Sequence, residues 1–210
     1  MSKLQEIATL VENGKVKLIA GAVQGALDEG VEALDLLNAM IGAMGTVGEN
    51  FKNGAIFVPE MLVAAKAMKK GVDVLKPHLG SGSVGSAGKF IMGTVAGDLH
   101  DIGKNLVIMM VESAGFEVID LGVDVKAEKF VEAYRANPET KIIGLSALLT
   151  TTMPALREAV ALLNEQDFRK DIKVMVGGAP VTQEFADEIG ADAYTPDAAT
   201  CAQKAKELVS

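Results

Sequence analysis

The chain has 210 residues, 49% of them hydrophobic, a formal net charge of −8, one Cys and no Trp. That length and apolar content fit one or two domains with a sizeable core, and no run of about 18 uninterrupted apolar residues is present to span a membrane. Residues 1–85 carry 8 Lys against 9 acids and the remainder 12 basic against 19 acidic residues, a balance that repels phosphate backbones and argues against nucleic-acid binding.

In chain order, "SKLQEIATLVENG" places Leu4, Ile7, Ala8 and Val11 at helical spacing before Gly14. "KVKLIAGAVQGALDEG" repeats the pattern and stops at Gly30. A longer helix runs through "VEALDLLNAMIGAMGTVGENFKNG" and closes near Gly54. A fourth, "PEMLVAAKAMKKGVDVLKPHL", opens on Pro59, a favourable first-turn residue. Four helices with short connections predict an antiparallel four-helix bundle over residues 1–79. "GSGSVGSAG", residues 80–88, has the small, uncharged composition of a flexible linker.

From residue 89 the period changes. Five short apolar runs, "FIMGTV", "FEVIDL", "KIIGLS", "IKVMVGG" and "DAYT", alternate with helical stretches at 102–115, 126–136, 153–166, 182–190 and 196–208. Such alternation predicts a five-stranded parallel sheet with flanking helices over 89–210. The fold class expected is therefore α plus α/β, a helical cap followed by a Rossmann-like (flavodoxin-like) domain. Ligands of such sheets sit at the carboxyl ends of the strands. Gly97, Asp98, Leu99, His100, Asp101, Ile102 and Gly103 follow the first strand. Ser146, Leu148, Thr150 and Thr152 follow the third, Gly177 and Gly178 the fourth, and Tyr194 to Ala198 the fifth.

Asp98 and His100 are two residues apart, a spacing at which the carboxylate can take one ring N–H and leave the other nitrogen as a metal donor. The competing reading is a solvated strand-end loop. The chain has only two His and one Cys, too few N and S donors for a tetrahedral zinc site. A G-x-G-x-x-G fingerprint, a P-loop and a G-x-S-x-G elbow are all absent. A metal held by His100 must then arrive with most of its ligands, as in a macrocycle. Cys201 cannot form an internal disulfide, and the N-terminus lacks a signal-peptide core, so a cytoplasmic location is expected. His78 reads as a helix-end residue and Cys201 as a packed one.

"DLHDIG" with "SALLT" and the glycine pair 177–178 resembles, in order and at the expected strand ends, the D-x-H-x-x-G, S-x-L and G-G elements of cobalamin-binding domains. The stretch 44–75, "MGTVGENFKNGAIFVPEMLVAAKAMKKGVDVL", is similar to the helical cap of methionine synthase and of the corrinoid proteins of methyltransferase systems. The resemblance spans nearly the whole chain. It implies a cobalamin (corrinoid) cofactor with His100 as lower axial ligand of cobalt, Asp98 on its far nitrogen, and Thr152 extending the relay where the family often has Ser. It implies a nucleotide-tail channel lined by Ser146, Leu148, Thr150, Gly177 and Gly178 and kept open by its glycines, further cofactor contacts from Gly97, Leu99, Asp101, Ile102, Gly103 and Ala198, and Phe51 and Val58 covering the upper face of the corrin. The implied role is a methyl carrier between a substrate-specific methyltransferase and an acceptor methyltransferase using tetrahydrofolate or a thiol coenzyme, kept active by a reductive activator. Aryl methyl ether O-demethylation is the donor chemistry expected. A cobalamin-dependent sensor is the alternative; a carbon-skeleton mutase subunit is disfavoured by the cap, and a flavodoxin-like module without cobalt would bind no cobalamin.

Overall fold

The computed structural model describes residues 2–79 and 87–209. The linker expected at 80–88 lies outside the described residues except for Ala87 and Gly88. The described residues divide into two compact units, 2–79 with 112–115, and 87–111 with 116–209.

The first unit is helical. α1 (Lys3–Glu12) is capped by Ser2, whose hydroxyl accepts the Gln5 N–H at 3.2 Å. α2 (Ile19–Asp28) starts later than the sequence pattern suggests. Gly14, at φ +59°, turns the chain, and Val16 and Leu18 donate to the Gly14 and Lys15 carbonyls, so "KVK" is spent on a turn. α3 (Ala33–Lys52) and α4 (Val58–Leu75) follow, with a 3-10 turn at Lys76–His78 that leaves His78 exposed at the helix end. α1 packs on α3, α2 on α4, and α3 on α4. Their apolar stripes meet in a core of Ile7, Val11, Ile19, Val23, Leu36, Met40, Met61, Met68 and Leu75. A side chain at Gly71 would collide with Met40 Sδ at 2.6 Å, which shows how close α4 runs to its neighbours.

The second unit alternates strands and helices: β1 (Lys89–Thr94), α5 (Ile102–Ser113), β2 (Glu117–Asp120), α6 (Ala127–Ala136), β3 (Thr140–Ser146), α7 (Met153–Asn164), β4 (Lys173–Gly177), α8 (Gln183–Ile189), β5 (Ala193–Tyr194) and α9 (Ala198–Val209). The strands form one parallel sheet in the order β2-β1-β3-β4-β5. Its strands are near-continuous apolar runs because helices cover both faces of a parallel sheet. Ile91, Phe130, Ile143, Val160 and Val174 are buried in one core cluster. The helical cap and five-stranded Rossmann-like sheet expected from the pattern are both present, with helix ends moved by one or two residues in the second unit and by up to four in the first.

Two features set the position of the loop after β1. The chain leaves β1 to form β2 on one side, then crosses to form β3 on the other, so the β1–β3 boundary is the topological switch point where doubly wound sheets open a crevice. Lys104, in the first turn of α5, is buried, and its ammonium donates to both Asp120 carboxylate oxygens at 2.7 and 2.8 Å. A cation at a helix N-terminus opposes the helix dipole; the Asp120 carboxylate offsets it and ties the start of α5 to the end of β2.

Candidate cofactor site at the switch point

The loop 95–101 begins where β1 ends. Gly97 has φ +79°, a conformation that costs other residues their Cβ contacts, and Asp98 N–H donates to the Val95 carbonyl at 3.1 Å. The turn folds the Asp98 side chain inward, and Asp98 is fully buried.

A buried carboxylate needs partners for its lone pairs, and Asp98 has four donors. Its Oδ1 accepts the ring Nδ1–H of His100 at 2.7 Å and the His100 amide at 3.1 Å. Its Oδ2 accepts the Leu148 amide at 2.7 Å and the Thr152 hydroxyl at 2.9 Å. Thr152 Oγ1 also lies 2.9 Å from the Leu149 carbonyl. It has one proton to give, and the ionised carboxylate is the stronger acceptor. Burial by itself pushes the Asp98 carboxyl up. The Leu148 amide, the His100 ring, the His100 amide and the Thr152 hydroxyl outweigh that and hold it well below the usual carboxylate range.

An ionised Asp98 on Nδ1 fixes the neutral His100 tautomer with its proton on Nδ1 and its lone pair on Nε2. Among the described residues Nε2 has no hydrogen-bond partner, and the His100 side chain is 49% exposed. The imidazole is thus held from inside and presented outward. Leu99 (72% exposed) and Ile102 (79%) flank it along the chain, and Leu148, whose amide bonds Asp98, and Leu149 are exposed as well. Gly103 is exposed on the first turn of α5, and a Cβ there would meet nothing within 4 Å. Its missing side chain leaves room for close approach from outside. Among the described residues no three His, Cys, Asp or Glu side chains gather as a metal site. One nitrogen donor, an apolar rim and a bare glycine therefore suit a planar metal macrocycle better than a naked ion.

The remaining residues singled out in the sequence are placed as follows. Asp101 starts α5, its carbonyl accepting the Asn105 amide at 2.7 Å. Thr150 is exposed on the 3-10 turn Thr150–Thr152 that leads into α7. Ser146 pairs in register with both Thr94 and Gly177, so the ends of β1, β3 and β4 are adjacent. The glycine pair permits a close backbone approach: a Cβ on Gly178 would sit 1.9 Å from the Ala147 carbonyl oxygen, and one on Gly177 3.0 Å from that of Thr195. Both glycines let neighbouring backbone close in. Ala198 is buried at the first turn of α9, beyond the edge strand β5, and is not brought beside His100. In the helical unit Phe51 is half-buried on the last turn of α3 and Val58 is 39% exposed at the start of α4. The intervening turn is fixed by the Glu60 carboxylate, which accepts the Phe57 amide at 2.7 Å.

Three contributors escaped the sequence reading. Thr94, Gly122 and Asp124 bear on the His100 loop through the end of β2 and its own strand. The acid and glycine of "DLGVD" sit at a strand's carboxyl end as the other site residues do, and that position was the clue.

Two family models match the chain, both described as B12 binding domains, over residues 3–76 and 88–202. The chain is 44% identical over 209 residues to dimethylamine corrinoid protein 1 of Methanosarcina acetivorans, covering 99% of this chain and 97% of that one. The crystal structure of a cobalamin-binding protein from Desulfitobacterium hafniense superposes with a TM-score of 0.84 at 32% identity, over 99% and 98% of the two chains. The methanol:cobalamin methyltransferase complex MtaBC from Methanosarcina barkeri contains a chain matching with a TM-score of 0.84 at 30% identity, over 99% of this chain and 79% of that one. With both units matched end to end, the chain belongs to the B12-binding corrinoid proteins of methyltransferase systems, and its cofactor is a corrinoid.

Proposed function

We propose that this protein carries a methyl group on corrinoid cobalt from a substrate-specific methyltransferase to an acceptor methyltransferase, with His100 as the lower axial ligand. The observation that carries this reading is the His100 ring anchored by buried Asp98 at the switch point, its Nε2 free and its rim apolar. The bound corrinoid supplies the cobalt centre that takes up and gives off the methyl group. The chain's part is to hold and orient it. Asp98 sets the basicity of the imidazole, Thr152 and the Leu148 amide keep Asp98 ionised, and Leu99, Ile102 and Gly103 receive the macrocycle. Phe51 and Val58 of the helical unit shield its other face, and Ser146, Leu148, Thr150, Gly177, Gly178 and Ala198 line the path of the nucleotide tail. The carrier works in the cytoplasm beside its two methyltransferases and a reductive activator. No helix among the described residues is long and apolar enough to cross a membrane.

The relative named for dimethylamine, matched over 99% of this chain, favours a methylated amine as the donor over an aryl methyl ether. The donor is read by the partner enzyme, so the test must supply partners. Cobalamin-loaded protein, reduced to Co(I) with a titanium(III) salt under anaerobic conditions, is mixed with a dimethylamine:corrinoid methyltransferase and dimethylamine, or with an aryl ether methyltransferase and its substrate, and conversion of Co(I) to methyl-Co(III) is followed by visible absorption. Methylation in the first mixture alone is expected. Methylation only in the second reassigns the donor, and a chain that binds no cobalamin overturns the reading.

A further inference from the structure

Among the described residues Asp124 is the one non-glycine with a left-handed backbone, at φ +54°. Asp and Asn visit this region more readily than other side chains, yet it still costs of order 1 kcal/mol and persists where surrounding contacts over-determine it. The contacts here are specific. Asp124 Oδ1 accepts the Gly97 amide at 2.7 Å, and the Asp124 amide donates to the Asp98 carbonyl at 3.0 Å. One residue thus grips the Gly97–Asp98 dipeptide at the N–H that enters it and the carbonyl that leaves it.

Its flanks are held as firmly. Thr94 N–H donates to the Gly122 carbonyl at 3.0 Å, Val125 N–H to the Thr94 carbonyl at 2.9 Å, and Val95 and Val125 form a parallel bridge. The segment 122–125 therefore runs on from β2 as a short splint beside the β1 loop. On the far side of the loop the Thr94 hydroxyl donates to the His100 carbonyl at 3.0 Å. Having spent its proton there, it accepts from Ser146 Oγ at 2.9 Å. The three residues Asp98, Leu99 and His100 are spanned by Asp124 at one end and Thr94 at the other.

We propose that Asp124 is a positioning residue for the axial imidazole: by clamping the Gly97–Asp98 dipeptide at both ends it fixes where Nε2 of His100 points and so how firmly the ring holds a corrinoid metal. The proposal rests on His100 being that ligand. Asp124 touches neither the ring nor the Asp98 carboxylate; its effect passes through backbone.

The test uses the full chain, labelled with 15N-histidine, loaded with cobalamin and reduced to Co(II). The ratio of histidine-bound to histidine-free cobalt is read from the nitrogen splitting in the EPR spectrum, for wild type, Asp124→Asn, Asp124→Gly and His100→Ala. Asn keeps an acceptor oxygen and the left-handed backbone, so Asp124→Asn is expected to match wild type. Gly relieves the strained φ but removes the acceptor. Asp124→Gly is expected to lower the ratio about tenfold, the scale set by losing one hydrogen bond, while its thermal midpoint stays near the wild-type value. A residue serving stability alone would move the midpoint and leave the ratio. An unchanged ratio in Asp124→Gly overturns the proposal while leaving the ligand reading intact. A wild-type spectrum without histidine splitting, matching His100→Ala, overturns both.

Discussion

Asp98 is the residue on which the site depends, because it is a charge with no access to water. It survives there through four donors, and that debt to hydrogen bonding makes its contribution depend on pH. Its folded carboxyl titrates well below the usual range, whereas an unfolded Asp titrates near 3.9. A group lowered on folding stabilises the fold fully above the unfolded value and loses that contribution as the pH falls through the folded one. Asp98→Asn removes the charge at every pH and turns a donor NH2 toward the Leu148 amide or the Thr152 hydroxyl. The variant is expected to be less stable than wild type by about 2–3 kcal/mol at neutral pH, the cost of charged hydrogen bonds lost in a buried place. The gap should narrow as the pH is lowered from about 5 through 4 and below. Urea unfolding of both proteins across that range measures it. A gap that stays constant into acid would mean the carboxylate is not what the four donors stabilise.

At the scale of the element, the sheet brings the site together by ordinary means. β1 and β3 lie side by side, so the Asp98 loop and the Leu148–Thr152 segment, 50 residues apart, share one crevice. The strands were legible because their apolar runs are short and bounded by glycine and acid. The Asp98–His100 pair and the Leu148–Thr152 segment that meets it were legible because both follow such runs. The close approach at Gly177 and Gly178 was not legible. A glycine pair after a strand fits an open channel as well as a tight backbone crossing, and sequence does not carry the distance from Gly178 to the Ala147 carbonyl. Asp124 stayed hidden for a similar reason, since a positive φ leaves no mark in sequence when the residue is not glycine. The glycine argument has a consequence. Gly178→Ala puts a methyl group 1.9 Å from that carbonyl at φ +125°, where an L-residue is strained in any case. The loops after β3 and β4 must part, which shifts the Leu148 amide off Asp98. A loss of about 2–4 kcal/mol is expected by urea unfolding, together with weaker histidine splitting in the Co(II) spectrum. A variant of wild-type stability would show that the loops separate at no cost.

On the scale of the whole molecule, each unit has an apolar core made from its own part of the chain. Every residue of the Ile91–Phe130–Ile143–Val160–Val174 cluster comes from the sheet unit, and the helices bury Leu36, Met40, Met61 and Met68 among themselves. A unit with its own core can fold alone. The sheet unit also carries the anchored imidazole and all four donors to Asp98. A fragment of residues 87–210 is therefore expected to unfold cooperatively in urea, to bind cobalamin, and to keep the histidine splitting of its Co(II) spectrum. What it lacks is the proposed cover of Phe51 and Val58. Reduced cobalamin on the fragment should then oxidise in air at least several-fold faster than on the full chain, since excluding solvent and small oxidants is a service of the covering side chains. Equal oxidation rates would remove Phe51 and Val58 from the role of shield. Loss of the histidine splitting in a folded fragment would show instead that the axial ligand depends on the helical unit, and the division of labour between holding the cobalt and covering it would have to be redrawn.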